Sequence, residues 1–200
     1  MTPLLIFLGI VLTGQTAWAA SKASDVKQGN ALYHQGKYDE ALAKYESALK
    51  EDEDSAVINF NMGTALYKNG EYEGTIPHFQ KSLLSEDHQF QAKAHYNLGN
   101  ALYQSGIAKE NSDLKAAIQS LRESLFHYER SLILNPGDQD AQFNSQLVKQ
   151  ELERLKLKQQ NQNQNHPDSS ASRQNDVAQK QQNSAEKPPS GEGNSGREDS

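Results

Sequence analysis

An all-α chain built from stacked helical hairpins is predicted by three observations. A five-residue block recurs along the first half, a glycine follows each copy at a fixed distance, and no stretch alternates apolar and polar residues as a half-buried strand would. The block is Gly29-Asn30-Ala31-Leu32-Tyr33, then Gly63-Thr64-Ala65-Leu66-Tyr67, then Gly99-Asn100-Ala101-Leu102-Tyr103. Its copies start 34 and then 36 residues apart (29 to 63, 63 to 99), with Gly36, Gly70 and Gly106 trailing at the same offset. A period of this size marks a supersecondary unit that buries its apolar face only against a neighbouring copy.

Each element follows from local chemistry. Gly29, Gly63 and Gly99 lie inside helical patterns, where glycine costs ~1 kcal/mol relative to alanine. Its repetition implies close approach of the unit's second helix, with Ala41 as the small residue opposite and Tyr45 one turn on. Gly36, Gly70 and Gly106 are expected to end the first helices in a left-handed conformation. Second helices are predicted over residues 38–50 and 72–84, the latter starting late or bending because of Gly74 and Pro77.

The third unit is stretched. Leu114, Ile118, Leu121, Leu125, Tyr128 and Leu132 recur in steps of four and three, the stripe of one long amphipathic helix, capped by Ser112 or Asp113. Pro136-Gly137-Asp138 signals a turn, and a final helix carries Leu147, Val148, Leu152 and Leu155 on one side. The two helices, about 33 and 31 Å long at 1.5 Å per residue, would form an antiparallel hairpin capping the stack. A competing reading leaves Leu114, Ile118 and Leu121 exposed as a partner site.

Both termini differ in composition from the repeats. Leu4 to Leu12 form a short apolar run followed by Ala17-Trp18-Ala19, a small-x-small pattern, so residues 1–19 are expected to be an export signal cleaved after Ala19. No Lys or Arg precedes the run, which leaves an uncleaved membrane anchor as the alternative. After Phe143 there is no aromatic residue, and beyond Val177 no aliphatic side chain larger than alanine. Residues 159–200, rich in Gln, Asn and Ser, are therefore expected to be disordered.

Composition also narrows function. A net charge of −6 argues against a nucleic-acid binder. The absence of cysteine excludes thiolate catalysis and Cys-ligated zinc. The six histidines form no ligand-spaced pair, and the acidic run from Glu51 to Asp54 reads as a solvated loop. No enzyme, metal, cofactor or small-molecule substrate is expected.

These residues resemble the tetratricopeptide (TPR) repeat family over roughly residues 22–145. Met62-Gly63 and Leu98-Gly99 match the family's Leu-Gly element, while Ala41/Tyr45, Thr75/Phe79 and Ser124/Tyr128 match its Ala-x-x-x-aromatic element. Its closing proline survives only as Pro136, and its early tryptophan is replaced by Asp25, Asn59 and His95. The resemblance implies a right-handed α-solenoid of about three repeats. These occupy residues 22–55, 56–89 and, extended, 92–137, with a capping helix over 138–158. It also implies that the first helices line a groove for a peptide or partner helix.

On that register the groove would present Lys27, Asn30, Asn61, Thr64, Lys93, Asn97, Asn100 and Asn144. An Asn amide donates and accepts at once, which suits a peptide backbone. Asn30, Asn61 and Lys93 match the family's carboxylate clamp, but Val26 and Asn97 replace two of its basic residues. The competing reading has Asn61, Asn97 and Asn144 stabilising helix packing or lying solvated.

The turn Asn135-Pro136-Gly137-Asp138-x-Asp140-Ala141 into a Phe-Asn-containing helix, together with the Gln-rich tail, resembles more narrowly the Bat (aerotolerance operon) TPR proteins. That resemblance implies a periplasmic adaptor for von Willebrand factor A-domain membrane proteins. A structural role, with the long hairpin driving self-association, is the alternative.

Overall fold

The computed structural model describes residues 7–164, with side chains from Ser21 onward. Two compact units divide the chain, Met1–Lys156 and Leu157–Ser200. The second contributes to the described residues only the helical end of the last element. The first is wholly helical within its described residues: α1 (Phe7–His34), α2 (Tyr38–Leu49), α3 (Ala56–Lys68), α4 (Tyr72–Ser82), α5 (His88–Lys109) and α6 (Leu114–Leu134), followed by α7 (Gln139–Gln164).

Helices pair as hairpins, α1 with α2, α3 with α4 and α5 with α6, and each hairpin packs on the next through α2–α3 and α4–α5. The repeated glycines make the pairing close. A Cβ on Gly29 would meet Tyr45 Cε1 at 2.6 Å, one on Gly63 would meet Phe79 at 3.0 Å, and one on Gly99 would meet Tyr128 at 2.9 Å. It is thus the aromatic ring of the second helix, rather than Ala41, that lies on the glycine. Tyr45, Phe79 and Tyr128 are buried almost completely.

Gly36 and Gly70 have φ of 75° and 83° and end their first helices as expected. Gly106 does not. It is buried inside α5, which continues to Lys109, because α6 crosses directly over it. A Cβ there would meet Ala117 O and Ser120 Cβ at 3.2 Å. The two extra residues between Gly63 and Gly99 are taken up at the start of α5, which runs eleven residues before its glycine where α3 runs seven. Ser124 Oγ donates to Gly99 O (2.7 Å) and Ser131 Oγ to Ala92 O (2.9 Å), pinning α6 along α5.

Other expectations are also adjusted. The helix containing Pro77 begins on time at Tyr72, in register with Tyr38. Thr75 N donates to Glu71 O, so the first helical bond forms before the proline is reached. Asp113 caps α6 by accepting from Ala116 N at 2.9 Å. Leu121 and Ile118 are buried with Ala117, Tyr128, Val148, Leu152 and Leu155, so the hairpin face is covered by α7 rather than left exposed. Helix α7 ends at Gln164, six residues into the segment expected to be disordered, and the rest of that segment, 165–200, lies outside the described residues. At the other end α1 starts at Phe7 and runs through the expected cleavage point after Ala19. Among the described residues no helix is long and apolar enough to cross a membrane.

Candidate functional site

The first helices neighbour one another, α1 beside α3 and α3 beside α5, and α7 continues the row. Asn144 Nδ2 on α7 donates to Asn100 Oδ1 (3.2 Å) and Tyr96 Oη (3.3 Å) on α5. One residue pattern marks this row: Phe60-Asn61 on α3, Tyr96-Asn97 on α5 and Phe143-Asn144 on α7. In that register α7 is the first helix of a fourth unit. The position of Gly29, Gly63 and Gly99 is taken there by exposed Gln146, which leaves no seat for a following aromatic ring. Among the described residues no helix follows α7.

Two polar triads tie the row to the second helices. Asn30 Oδ1 accepts from Tyr45 Oη (2.8 Å) and from Asn61 Nδ2 (3.1 Å). Asn100 Oδ1 accepts from Tyr128 Oη (2.5 Å) and from Asn144 Nδ2. Burial raises both phenols, Tyr45 to about 12 and Tyr128 further, so both stay protonated and donate. The middle repeat lacks the triad in two members at once, having Thr64 and Phe79 in place of Asn and Tyr. Thr64 Oγ1 turns instead to Phe60 O at 2.7 Å, and among the described residues Asn97 makes no side-chain hydrogen bond.

A cavity opens over each triad. The first, about 250 Å³, is lined by Asn30, Tyr33, His34, Tyr45, Phe60, Asn61 and Thr64. The second, about 360 Å³, is lined by Tyr67, Tyr96, Asn100, Tyr103, Gln104, Tyr128 and Asn144, with Leu147 and Val148. Neither is lined by an acid, a lysine or an arginine. Lys93 lines a separate hollow with Asp138, where α5 meets the turn between α6 and α7, while Lys27 and Asn97 line none of the three. Of the eight sequence-derived groove residues, the structure thus gathers Asn30, Asn61 and Thr64 in one place and Asn100 and Asn144 in another. Four of these Asn side chains serve packing and lining together.

Sequence reading missed the cavity tyrosines and a second set of polar pairs. Where the family's tryptophan is lost, each unit joins its two helices by a different polar contact. Asp25 accepts from Ser47 Oγ (2.7 Å) and Lys44 Nζ (3.4 Å) on α2. Asn59 Oδ1 faces His78 Nδ1 at 2.9 Å. Because Asn59 Nδ2 donates to Glu53 O and Ser55 O, its oxygen is the acceptor and His78 Nδ1 carries the proton. His95 Nδ1 and His127 Nδ1 lie 2.9 Å apart with stacked rings, an arrangement that holds when one nitrogen keeps a proton and the other does not. Burial, then the neighbouring ring, pushes His127 down to about 4. Burial and Arg130 lower His95.

Comparison with known proteins agrees with this architecture. The TPR repeat family matches residues 29–70, and a second tetratricopeptide repeat family matches residues 60–128. Among curated proteins none matches this chain. Among solved structures, the fold is similar to the first TPR of Spaghetti (RPAP3) bound to an HSP90 peptide, SRMEEVD, with a TM-score of 0.55 and 23% identity over 66% of this chain and 94% of that one. It is similar also to the second TPR domain of human RPAP3 in complex with an HSP70 peptide (TM-score 0.54, 22% identity, 66% and 98% covered). The N-terminal domain of stress-induced protein-1 from C. elegans is a third such fold (TM-score 0.54, 17% identity, 66% and 98% covered). With these matches spanning residues 29–128 and the helix hairpins stacked as described, the chain belongs to the tetratricopeptide repeat family.

Proposed function

We propose that this protein is an exported adaptor that holds a partner protein in the groove formed by α1, α3, α5 and α7. One observation carries the reading: two cavities of like chemistry open on that row of helices, each floored by an Asn–Tyr–Asn triad and walled by aromatic rings. Concave sites with a few placed polar groups among aromatic side chains are the usual form of a binding site. The TPR domains of RPAP3 carry peptides of HSP90 and HSP70, and a protein segment is the ligand proposed here.

The partners proposed are von Willebrand factor A-domain membrane proteins, and the compartment is the periplasm, with the chain delivered by its N-terminal signal. Support comes from the apolar run over residues 4–12, the Ala17-Trp18-Ala19 pattern and the turn from Asn135 to Ala141. The test is a photo-crosslinker placed at Tyr33 or Tyr103 in the intact cell. Crosslinks to an A-domain membrane protein, lost when Asn61→Asp and Asn144→Asp are combined, are expected. Crosslinking confined to a cytoplasmic protein, or capture unchanged by the double substitution, would overturn the reading.

A further inference from the structure

We infer that the groove takes an uncharged, proline-rich segment in the polyproline II conformation, engaged at two equivalent subsites; this rests on the groove reading above. The first observation is charge. A clamp for a terminal carboxylate needs cations in the pocket, and both cavities lack Lys and Arg. Lys93, which would serve, lines a separate hollow that Asp138 also lines.

The second observation is a count of hydrogen-bonding valences. A side-chain amide oxygen has two lone pairs. Those of Asn30 are both taken, by Tyr45 and Asn61, and those of Asn100 by Tyr128 and Asn144. The central carbonyl of each subsite is therefore unavailable to a ligand N–H, while its two amide N–H groups have no partner among the described residues. An ordinary extended peptide would bring an N–H for every carbonyl. Proline brings the carbonyl without the N–H, and a polyproline II segment displays its carbonyls outward because it has no internal hydrogen bonds.

The third observation is the walls. Tyr33 and Phe60 flank the first triad, and Tyr67, Tyr96 and Tyr103 the second. Burial raises the phenols of Tyr33, Tyr67 and Tyr103, so these walls are neutral aromatic rings. Aromatic-lined grooves with hydrogen-bond donors accept proline rings at low entropic cost, because the ligand is already ordered. Phe143, 68% exposed at the register of Phe60 and Tyr96, extends the same row of rings onto α7.

The experiment is calorimetric titration of the full chain with decaproline, with a Gly-Ser decamer and with SRMEEVD. Decaproline should bind at least about 10-fold more tightly than either comparator. Two variant pairs test the site. Asn30→Asp with Asn100→Asp keeps the acceptor oxygens that bind Tyr45 and Tyr128 but removes the donors. Tyr33→Ser with Tyr103→Ser removes half-exposed walls. Each pair should weaken decaproline about 10-fold or more, with the far-UV circular dichroism unchanged. If SRMEEVD or the Gly-Ser peptide binds as tightly as decaproline and is lost in the Tyr pair, the groove stands and the proline assignment falls. If decaproline binding is indifferent to both pairs, or no peptide binds, the groove reading falls with it.

Discussion

Asn30 accepts the phenolic proton of Tyr45, and two units further on Asn100 accepts that of Tyr128 in the same register. Each bond ties the first helix of a unit to its second, and the third member of the triad, Asn61 or Asn144, ties it to the next unit. Tyr45→Phe and Tyr128→Phe should each cost about 1 kcal/mol, and Asn100→Ala about 1–3 kcal/mol because it leaves a buried hydroxyl unpaired. Urea denaturation of the three variants checks the order. Phe79→Tyr should not stabilise, since Thr64 already satisfies its hydroxyl on Phe60 O.

Two glycine substitutions should destabilise the fold and a third should stabilise it. Gly29→Ala drives a methyl to within 2.6 Å of the Tyr45 ring, and overpacking of that kind costs about 1–3 kcal/mol. Gly36→Ala has open space but φ of +75°, which costs an alanine about 1 kcal/mol. Gly74→Ala, exposed within α4 and meeting only Leu66 Cδ1 at 4.0 Å, should stabilise by about 0.4–1 kcal/mol. Thermal or denaturant midpoints that rank these three otherwise would contradict the packing described.

Stability should fall on mild acidification. His127 titrates at about 4 in the folded chain, below its ordinary 6.5, and His78 and His95 are lowered as well. The unfolded chain therefore takes up protons first. Their neutral-state stabilisation is complete above about pH 6.5 and is lost as the pH falls towards 4. Melting temperatures taken between pH 7.5 and 4 should decline over that window. Replacing His95 and His127 together by Phe and Leu should flatten the decline.

The cap is a separate lever. Leu155 is fully buried among Ala117, Ile118 and Leu121, and Leu155→Ala should cost about 2–5 kcal/mol. Arg154 grips Glu110 with both guanidinium nitrogens, at 2.9 and 2.6 Å. Arg154→Lys loses that paired geometry and should cost about 0.5–1 kcal/mol, the loss shrinking at high salt because the pair is half-exposed. Equilibrium denaturation at 50 and 500 mM salt separates the two effects.

The helical repeat was legible in the chain itself. A 34-residue recurrence of Gly and Tyr, a stripe in steps of four and three, and Asp113 before an apolar run each depend on neighbours within a few turns, and local periodicity encodes such contacts directly. The left-handed Gly36 and Gly70 belong to the same class. Gly106 does not, because whether a helix ends or continues there depends on α6 crossing over it, a contact made by residues 11 to 15 positions later. The groove shows the same divide. Asn30, Asn61, Asn100 and Asn144 could be picked out by register, but their pairing with Tyr45 and Tyr128, and the rings that wall each cavity, were not evident from spacing. The His95–His127 contact is of that kind too, joining residues 32 apart. Composition and period alone determined a helical repeat, and its register a groove of Asn residues with Lys27 and Lys93 among them. Only the packing of one hairpin on the next decided which polar groups are consumed inside the protein and which line its cavities, because hydrogen-bond valence is spent between helices, not along them.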